Sequence, residues 1–381
     1  MSDLSISLEA LERSSSQLSV STYFDEDLFR QEQRLIFDAG PRYLGHELAV
    51  PEVGDYLALP QEAEGRALVR AAPGPEGISL LSNVCRHRQA VMLRDRGRSQ
   101  GGGHIVCPLH RWTYDLGGKL AGAPHFEQDP CLNLRRWPLQ RWNGLLFEDR
   151  GGRSVQAELA GLDAATAGML DFGGYVFDRA RQHECDYNWK TFIEVYLEDY
   201  HVGPFHPGLG HFVTCDDLRW EFGRQHSLQT VGIHQALGKP GSKVYERWHA
   251  ALMQFRQGKA PTHGAVWLTL YPTTMVEWYP HVLVVSTLFP RGPRKTLNLV
   301  EFFYPEEIVA FEREFVEAQQ AAYMETCIED DEIALRMDEG RAALMARGEN
   351  EVGPYQSPME DGMQHFHEWY RRKMRMGRSA A

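Results

Sequence analysis

Two short segments of this 381-residue chain carry metal-binding side chains at metal-binding spacing. NVCRHRQA sets Cys85 and His87 two apart, and CPLHRW sets Cys107 and His110 three apart, after nineteen intervening residues. Each pair offers two donors from one tight turn. Together they offer two thiolates and two imidazoles, a set that admits two chemistries. One is a tetrahedral structural zinc; the other is a [2Fe–2S] cluster with thiolates on one iron and imidazoles on the other. Zinc fingers usually group the cysteines in one pair and the histidines in the other. Here each pair holds one of each, which favours the cluster, and Pro108 stiffens the second turn. Cys131, Cys185, Cys215 and Cys327 have no close partner in sequence and read as small buried hydrophobes.

A second constellation lies in NWKTFIEVYLEDYHVGPFHPGL, residues 188–209. The segment begins with a helical pattern, and Glu198 and His201, three apart, share a helix face. His206 follows five residues later. Gly203-Pro204 should break the helix between the histidines and let both imidazoles aim at one point. Further on, CIEDDEIALRMDEG, residues 327–340, holds four consecutive acids, Glu329, Asp330, Asp331 and Glu332. They are either a solvated charge run or the source of another carboxylate ligand.

The elements that must position these groups can be read from periodicity. Residues 20–40 place Leu28, Ile36 and Phe37 at helical spacing and stop at Gly40-Pro41. From 41 to about 150, short alternating runs split by Gly and Pro predict a small all-β domain, with residues 94–103 as a loop between two strands. Residues 150–170 read as a linker and one helix. There follow a strand near 175–186, a helix over 188–200, strands over 264–304, a helix over 305–327 and a closing amphipathic helix. The expected division is 1–40 as a helical segment packing on the last domain, 41–150 as the cluster domain and 151–381 as the catalytic domain.

Composition narrows the function classes. Hydrophobic residues make up 43% and charged residues 24%, ordinary values for a globular protein. The net charge of −12 argues against a nucleic-acid partner and is compatible with a cationic substrate or a basic protein partner. The most apolar stretch, residues 263–290, contains Glu277, His281 and three prolines and alternates, so two strands and no membrane span are expected. The N-terminus lacks a secretory signal, and a cytoplasmic protein is expected. There is no glycine-rich nucleotide loop.

The continuation HRWTYDLGGKLAGAPHF after Cys107-Pro108 resembles the second cluster loop of the Rieske oxygenases, and NWK…E…YH-x4-H resembles their mononuclear iron segment. The resemblance extends to the tail GPYQSPMEDGMQHFHEWY and so covers nearly the whole chain. It implies an α+β protein: an N-terminal all-β Rieske domain, then a helix-grip catalytic domain whose antiparallel sheet is covered by helices. It implies Cys85, His87, Cys107 and His110 as [2Fe–2S] ligands and His201, His206 and a distant aspartate as a facial triad for Fe(II). Aligning Ile333 and Gly340 with the family pattern selects Asp330, with Asp331 one register away. Glu198 takes the place of the carboxylate that bridges an iron-ligating histidine to a Rieske histidine of a neighbouring subunit, here His201 to His110. Asp199 is the fallback for that bridge.

By the same resemblance the protein is a terminal oxygenase with O2 as co-substrate. It draws electrons from NAD(P)H through a separate reductase, with or without a ferredoxin, and assembles as a homotrimer. Arg86, Arg88 and Arg111 flank the cluster ligands, either as solvated loop arginines or as a dock for an acidic electron carrier. Phe205, Trp267, Tyr271, Met275 and Trp278 are the candidates for the substrate pocket, of which period two allows about half to face inward. An aromatic small molecule is the expected substrate, to be hydroxylated with one or two oxygen atoms as in aromatic hydrocarbon catabolism. The alternative is a quaternary ammonium or N- or O-methyl compound, as in the carnitine and betaine oxygenases.

Overall fold

The computed structural model describes residues 17–99, 103–234 and 239–376. The chain divides into two compact units: residues 39–160, and residues 161–381 together with the N-terminal stretch as far as Asp38. Residues 1–16 of the expected N-terminal helical segment and residues 100–102 of the expected loop lie outside the described residues.

The first unit is all-β apart from short helical turns. One sheet orders Arg96–Arg98, Asp55–Ala58, Arg66–Arg70, Ile78–Ser82 and Arg136–Trp137, and a second orders Arg42–His46, Leu145–Glu148 and Leu139–Trp142. A third, His104–Val106, Thr113–Asp115 and Leu120–Gly122, is a small meander. Residues 94–103 are therefore not loop throughout, because Arg96–Arg98 pairs with Asp55–Leu57 at the sheet edge. The core beneath the meander gathers Leu81, Leu93, Ile105, Trp112 and Tyr114 around Cys85 and Cys107.

Asn143-Gly144 closes a two-residue hairpin between Leu139–Trp142 and Leu145–Glu148. Both turn residues have positive φ, 49° and 81°, the geometry for which Asn-Gly is preferred. The Gly144 backbone also lies against the buried ring of His46, so that a Cβ there would fall 2.4 Å from the imidazole. His46 is held neutral: Leu48 N–H donates to its Nδ1 and its Nε2–H donates to the Asn143 carbonyl, and burial pushes its pKa down to about 3. Gly144→Ala is expected to destabilise this unit by about 1–3 kcal/mol, through strain at positive φ and overpacking of the ring. The check is the bleaching temperature of the cluster absorbance, which falls in the variant.

The second unit is built on one seven-stranded antiparallel sheet. Its order is Tyr175–Cys185, Lys295–Pro305, Val282–Gly292, Thr274–Tyr279, Ala265–Leu270, His226–Ile233 and Val213–Phe222. Alternate residues of the central strands, among them Val282, Val284, Val300, Phe302 and Tyr304, bury against helix Lys243–Phe255 and a long helix, Arg313–Ala346. A second cluster packs the N-terminal helix Glu26–Glu32, helix Trp189–Tyr196 and the C-terminal helix Asp361–Met376 through Leu28, Trp189, Ile193, Phe366 and Trp369. Several elements differ from expectation. The apolar stretch 263–290 holds three strands rather than two, and strands Val213–Phe222 and His226–Ile233 and helix Lys243–Phe255 fill a region for which the sequence predicted no element. The linker after 150 holds two short helices, Val155–Leu159 and Ala164–Met169. The expected helix over 305–327 is instead a short helix, Glu306–Phe311, followed by the long one, which runs through the acidic stretch.

Candidate active site

The segment Asn188-Trp189-Lys190 fixes the start of helix Trp189–Tyr196. The Asn188 side chain caps the helix by accepting from Lys190 N–H at 2.9 Å, while its amide donates to the carbonyls of Tyr23 and Pro293. Trp189 and Lys190 turn inward and both donate to buried Glu32, at 2.9 and 2.6 Å. Glu194, one turn on, accepts from Arg341 and His367, and the Arg341 charge with the His367 hydrogen bond holds its carboxyl down at about 2 despite complete burial. A helix pinned at this many points delivers the following loop to one place.

That loop carries the site. The helix ends at Tyr196, so Glu198 and His201 lie beyond it in a turn rather than on a helix face. Gly203-Pro204 does not break a helix; it sits inside a new short one, Val202–Phe205, that His201 begins and His206 ends. The reversal at Leu197–Tyr200 does what was expected of the Gly-Pro pair. His201 Nε2 and His206 Nε2 come within 3.0 Å, and Asp330 Oδ1 of the long helix lies 3.4 and 2.9 Å from them. Each histidine holds a carboxylate at its other nitrogen. Glu198 Oε1 is 2.5 Å from His201 Nδ1, close but off the line of the N–H, and Glu198 Oε2 accepts from His201 N–H at 3.1 Å. His206 Nδ1 donates to Glu329 at 2.7 Å. Carboxylates at Nδ1 set the tautomer that leaves Nε2 free to ligate.

The electrostatics point the same way. Burial works against charge on His201, but Asp330 and Glu198 outweigh it and push its pKa up to about 10. Burial likewise opposes ionisation of Asp330, yet the two imidazoles hold its carboxyl below the usual range. Three carboxylates around two imidazoles suit a divalent cation at the point where Nε2, Nε2 and Oδ1 converge. Asp331 faces away from that point: its oxygens lie 2.5 Å from His183 Nε2 and accept from Tyr187 OH at 2.6 Å. Asp199 also turns aside. It accepts from the Gln229 amide, its backbone N–H is tied to Met359 O, and burial pushes its carboxyl up to about 7.

In the first unit the two cysteine loops share one construction. Gln89 N–H donates to Cys85 O and Arg111 N–H to Cys107 O, both at 3.1 Å, and Gln89 and Arg111 both have positive φ. Cys85 and Cys107 are buried, His87 is half-buried and His110 exposed, so the thiols lie inward and the imidazoles outward. The His87 and His110 rings are 4.7 Å apart, His87 stacks on Trp112, and Tyr114 OH lies 3.6 Å from Cys85 Sγ. Burial pushes the Cys107 thiol up, so a thiolate there needs a cation. His87 Nδ1 is buried without a protein partner. Donors on one zinc lie within about 4.6 Å of one another, since Zn–S is about 2.3 Å. Among the described residues, only His201–His206–Asp330 and His183–Cys185–Asp331 bring three such donors within 4.8 Å. The four loop residues therefore fit a group larger than a single ion.

A cavity opens beside the triad, walled by Tyr196, Trp267, Glu277, Tyr279 and Tyr323. Of the sequence candidates, Trp267 lines it. Tyr271 and Met275 have the right strand parity but lie further along the sheet, packed in the cluster beneath the C-terminal helix; Trp278 has the opposite parity, and Phe205 stays outside the lining. Glu277, Tyr279 and Glu329 were missed as site residues. The signal for Glu277 was its position as the lone carboxylate in the most apolar stretch of the chain. Among the other cysteines, Cys131 is exposed rather than buried, and Cys327 lines the cavity.

An all-β unit with two Cys-His loops, joined in one chain to a helix-covered antiparallel sheet with a His-His-Asp cluster, defines an iron-sulfur-dependent mononuclear iron oxygenase. The Rieske [2Fe-2S] domain family matches residues 45–138, and the ring hydroxylating alpha subunit (catalytic domain) family matches residues 172–376. The chain belongs to the Rieske oxygenases. It is 67% identical to putrescine 2-hydroxylase of Ralstonia nicotianae over 98% of this chain and all of that one. It is 26% identical to the carnitine monooxygenase oxygenase subunit of Escherichia coli, over 91% of this chain and 90% of the relative. A quaternary ammonium Rieske monooxygenase solved with L-carnitine superposes with a TM-score of 0.75 at 19% identity, covering 96% of this chain and 98% of that one. The enzyme is thus an oxidoreductase that uses a [2Fe–2S] cluster and a mononuclear iron, and it takes its electrons from a separate donor. No helix among the described residues is long and apolar enough to cross a membrane.

Proposed function

We propose that this chain hydroxylates a short aliphatic diamine of the putrescine type at a carbon atom, and that Cys85, His87, Cys107 and His110 hold its cluster while His201, His206 and Asp330 hold its iron. One observation carries the substrate reading. Four carboxylates, Glu198, Asp199, Glu277 and Asp330, line the described cavity, and no lysine or arginine does. A cavity so lined repels anions and rewards cations. The two putrescine 2-hydroxylase relatives, at 67% and 63% identity, support the same class. The expected aromatic substrate finds no support in them. The quaternary ammonium alternative draws on the carnitine monooxygenase relatives and the aromatic walls. A trimethylammonium group cannot donate hydrogen bonds to carboxylates, however, whereas a primary ammonium donates three.

When bound, the cluster supplies single electrons and the iron binds and activates dioxygen. In the balanced reaction one C–H bond becomes C–OH, the second oxygen atom leaves as water, and two electrons and two protons are consumed with NAD(P)H as the ultimate donor. The residues of the chain do the rest. Glu198 and Glu329 orient the imidazoles, the carboxylates hold the cationic substrate, and Tyr196, Trp267 and Tyr323 exclude water. The assembly we propose is a homotrimer in which Glu198 links His201 to His110 of the partner subunit. Exposure of His110 and the position of Glu198 against His201 support that role.

The test is turnover with a surrogate reductase, following NADH loss and product mass. 1,4-Diaminobutane should gain one oxygen atom, and an aromatic carboxylate should give none. Product from the aromatic carboxylate or from a trimethylammonium compound, with none from the diamine, would overturn the reading.

A further inference from the structure

We propose that Glu277 is the anchor for one ammonium group of the substrate, set in the sheet wall of the cavity apart from the iron-binding triad. The inference rests on the amine reading above and assigns it a residue.

Glu277 is 1% exposed, yet it lines the cavity. Its two oxygens accept from Tyr323 OH at 2.8 Å and from Tyr279 OH at 2.9 Å. Both donors are neutral, and no cation among the described residues pairs with it. Of the other carboxylates described above, Glu32 meets Lys190, Glu194 meets Arg341, and half-buried Asp330 meets two imidazoles. Buried Asp199 shares the neutral surroundings of Glu277, but its partner is the Gln229 amide rather than a pair of hydroxyls. A buried carboxylate without a cation is costly. Burial accordingly pushes the Glu277 carboxyl up to about 7, with Tyr323 and Tyr279 opposing and the Asp330 charge adding to the rise. An arriving ammonium would supply the missing charge.

The surroundings are built for such a group. Trp267 lies directly across the strand pair from Glu277. Ring centroids run in an unbroken chain, Tyr196 to Trp267 at 6.4 Å, Trp267 to Tyr279 at 6.2 Å and Tyr279 to Tyr323 at 6.2 Å. Aromatic faces attract cations. Tyr196 OH and Trp267 Nε1, both on the cavity lining, are buried without a protein partner. A primary ammonium could donate to Glu277 and to the Tyr196 oxygen while its third N–H meets a ring face. The Trp267 indole N–H is left to donate to an acceptor on the ligand, such as the new hydroxyl of the product. The anchor lies on the sheet, while the triad lies on the 201–206 segment and the long helix. A ligand held at one end by Glu277 therefore presents a chosen carbon to the iron.

Anaerobic calorimetry on the holoenzyme tests this with 1,4-diaminobutane, 1-aminobutane and 1,4-butanediol. Glu277→Gln, which keeps the side-chain shape, should weaken diamine binding about 10- to 100-fold, in keeping with loss of a charge-assisted hydrogen bond. Iron content and cluster spectrum should not change. In the wild type the diol should bind far more weakly than the diamine, a comparison that requires no variant to fold. A Glu277→Gln protein with intact metals that binds the diamine as tightly as the wild type would limit Glu277 to pinning the two tyrosines and overturn the anchor. Wild-type enzyme that ignores the diamine would overturn the amine reading itself.

Discussion

Asp330→Ala is expected to lose its mononuclear iron and its turnover while keeping an unaltered cluster spectrum. The donor set loses its only carboxylate at the convergence point, and the remaining Nε2 pair, 3.0 Å apart, offers two bonds where three are needed. Holoenzyme should contain about three irons and two sulfides per chain, and the variant about two of each. Turnover should fall by more than about a hundredfold, beyond what loss of a supporting hydrogen bond at a metal site costs. Asp331→Asn is the control. Asp331 is engaged by His183, whose pKa its hydrogen bond pushes up to about 10, and by Tyr187, so this variant should loosen the long helix but retain iron. Iron retained in Asp330→Ala and lost in Asp331→Asn would shift the ligand by one residue.

Glu198→Gln should retain all the iron and slow the enzyme by about 10- to 100-fold, the usual effect of removing a carboxylate that supports a metal-bound histidine. The carboxylate contacts His201 twice, once at Nδ1 and once at the backbone N–H. Glutamine preserves the second contact, because its carbonyl still accepts, and weakens the first. Steady-state turnover alone does not distinguish a positioning residue from one that links two subunits. The discriminating measurement is the rate at which pre-reduced cluster is reoxidised when oxygen and substrate are added. Slow reoxidation with normal iron content supports the bridge to the partner subunit, and reoxidation at the wild-type rate would leave Glu198 as a support for His201 only.

Local patterns in the sequence carried most of the site. Cys85 with His87, and Cys107 with His110, are each close enough in the chain that one turn suffices to bring them together, so their spacing is informative before any fold is known. The same holds for His201 and His206, although the turn that aims them lies at Leu197–Tyr200 and not at Gly203-Pro204. Five strands of the large sheet fall in the runs that read as strand, 175–186 and 264–304, whereas Val213–Phe222 and His226–Ile233 lie outside them. The central strands are buried on both faces and so leave an almost continuous apolar run.

What spacing could not decide was which face of a distant helix would point where. Successive helix residues are rotated by about 100°, so Asp330 and Asp331 look alike in a run of acids but face different partners once the helix is packed. Family resemblance favoured Asp330; packing Asp331 against His183 and Tyr187 is what aims its neighbour at the histidines. The cavity was harder still. Parity put Tyr271, Met275 and Trp267 on one side of the sheet, but only tertiary packing determines which stretch of that side is covered by the C-terminal helix and which is left open. Glu277 became visible as a site residue for the same reason: its two tyrosine partners come from its own strand and from a helix far along the chain. The sequence pointed to the cofactors and the class of chemistry through motifs short enough to resemble a family's, since the cysteine–histidine and histidine pairs lie close together in the chain. The folded chain decided the cavity, since a wall is made of residues that meet only when the sheet and the long helix close on each other.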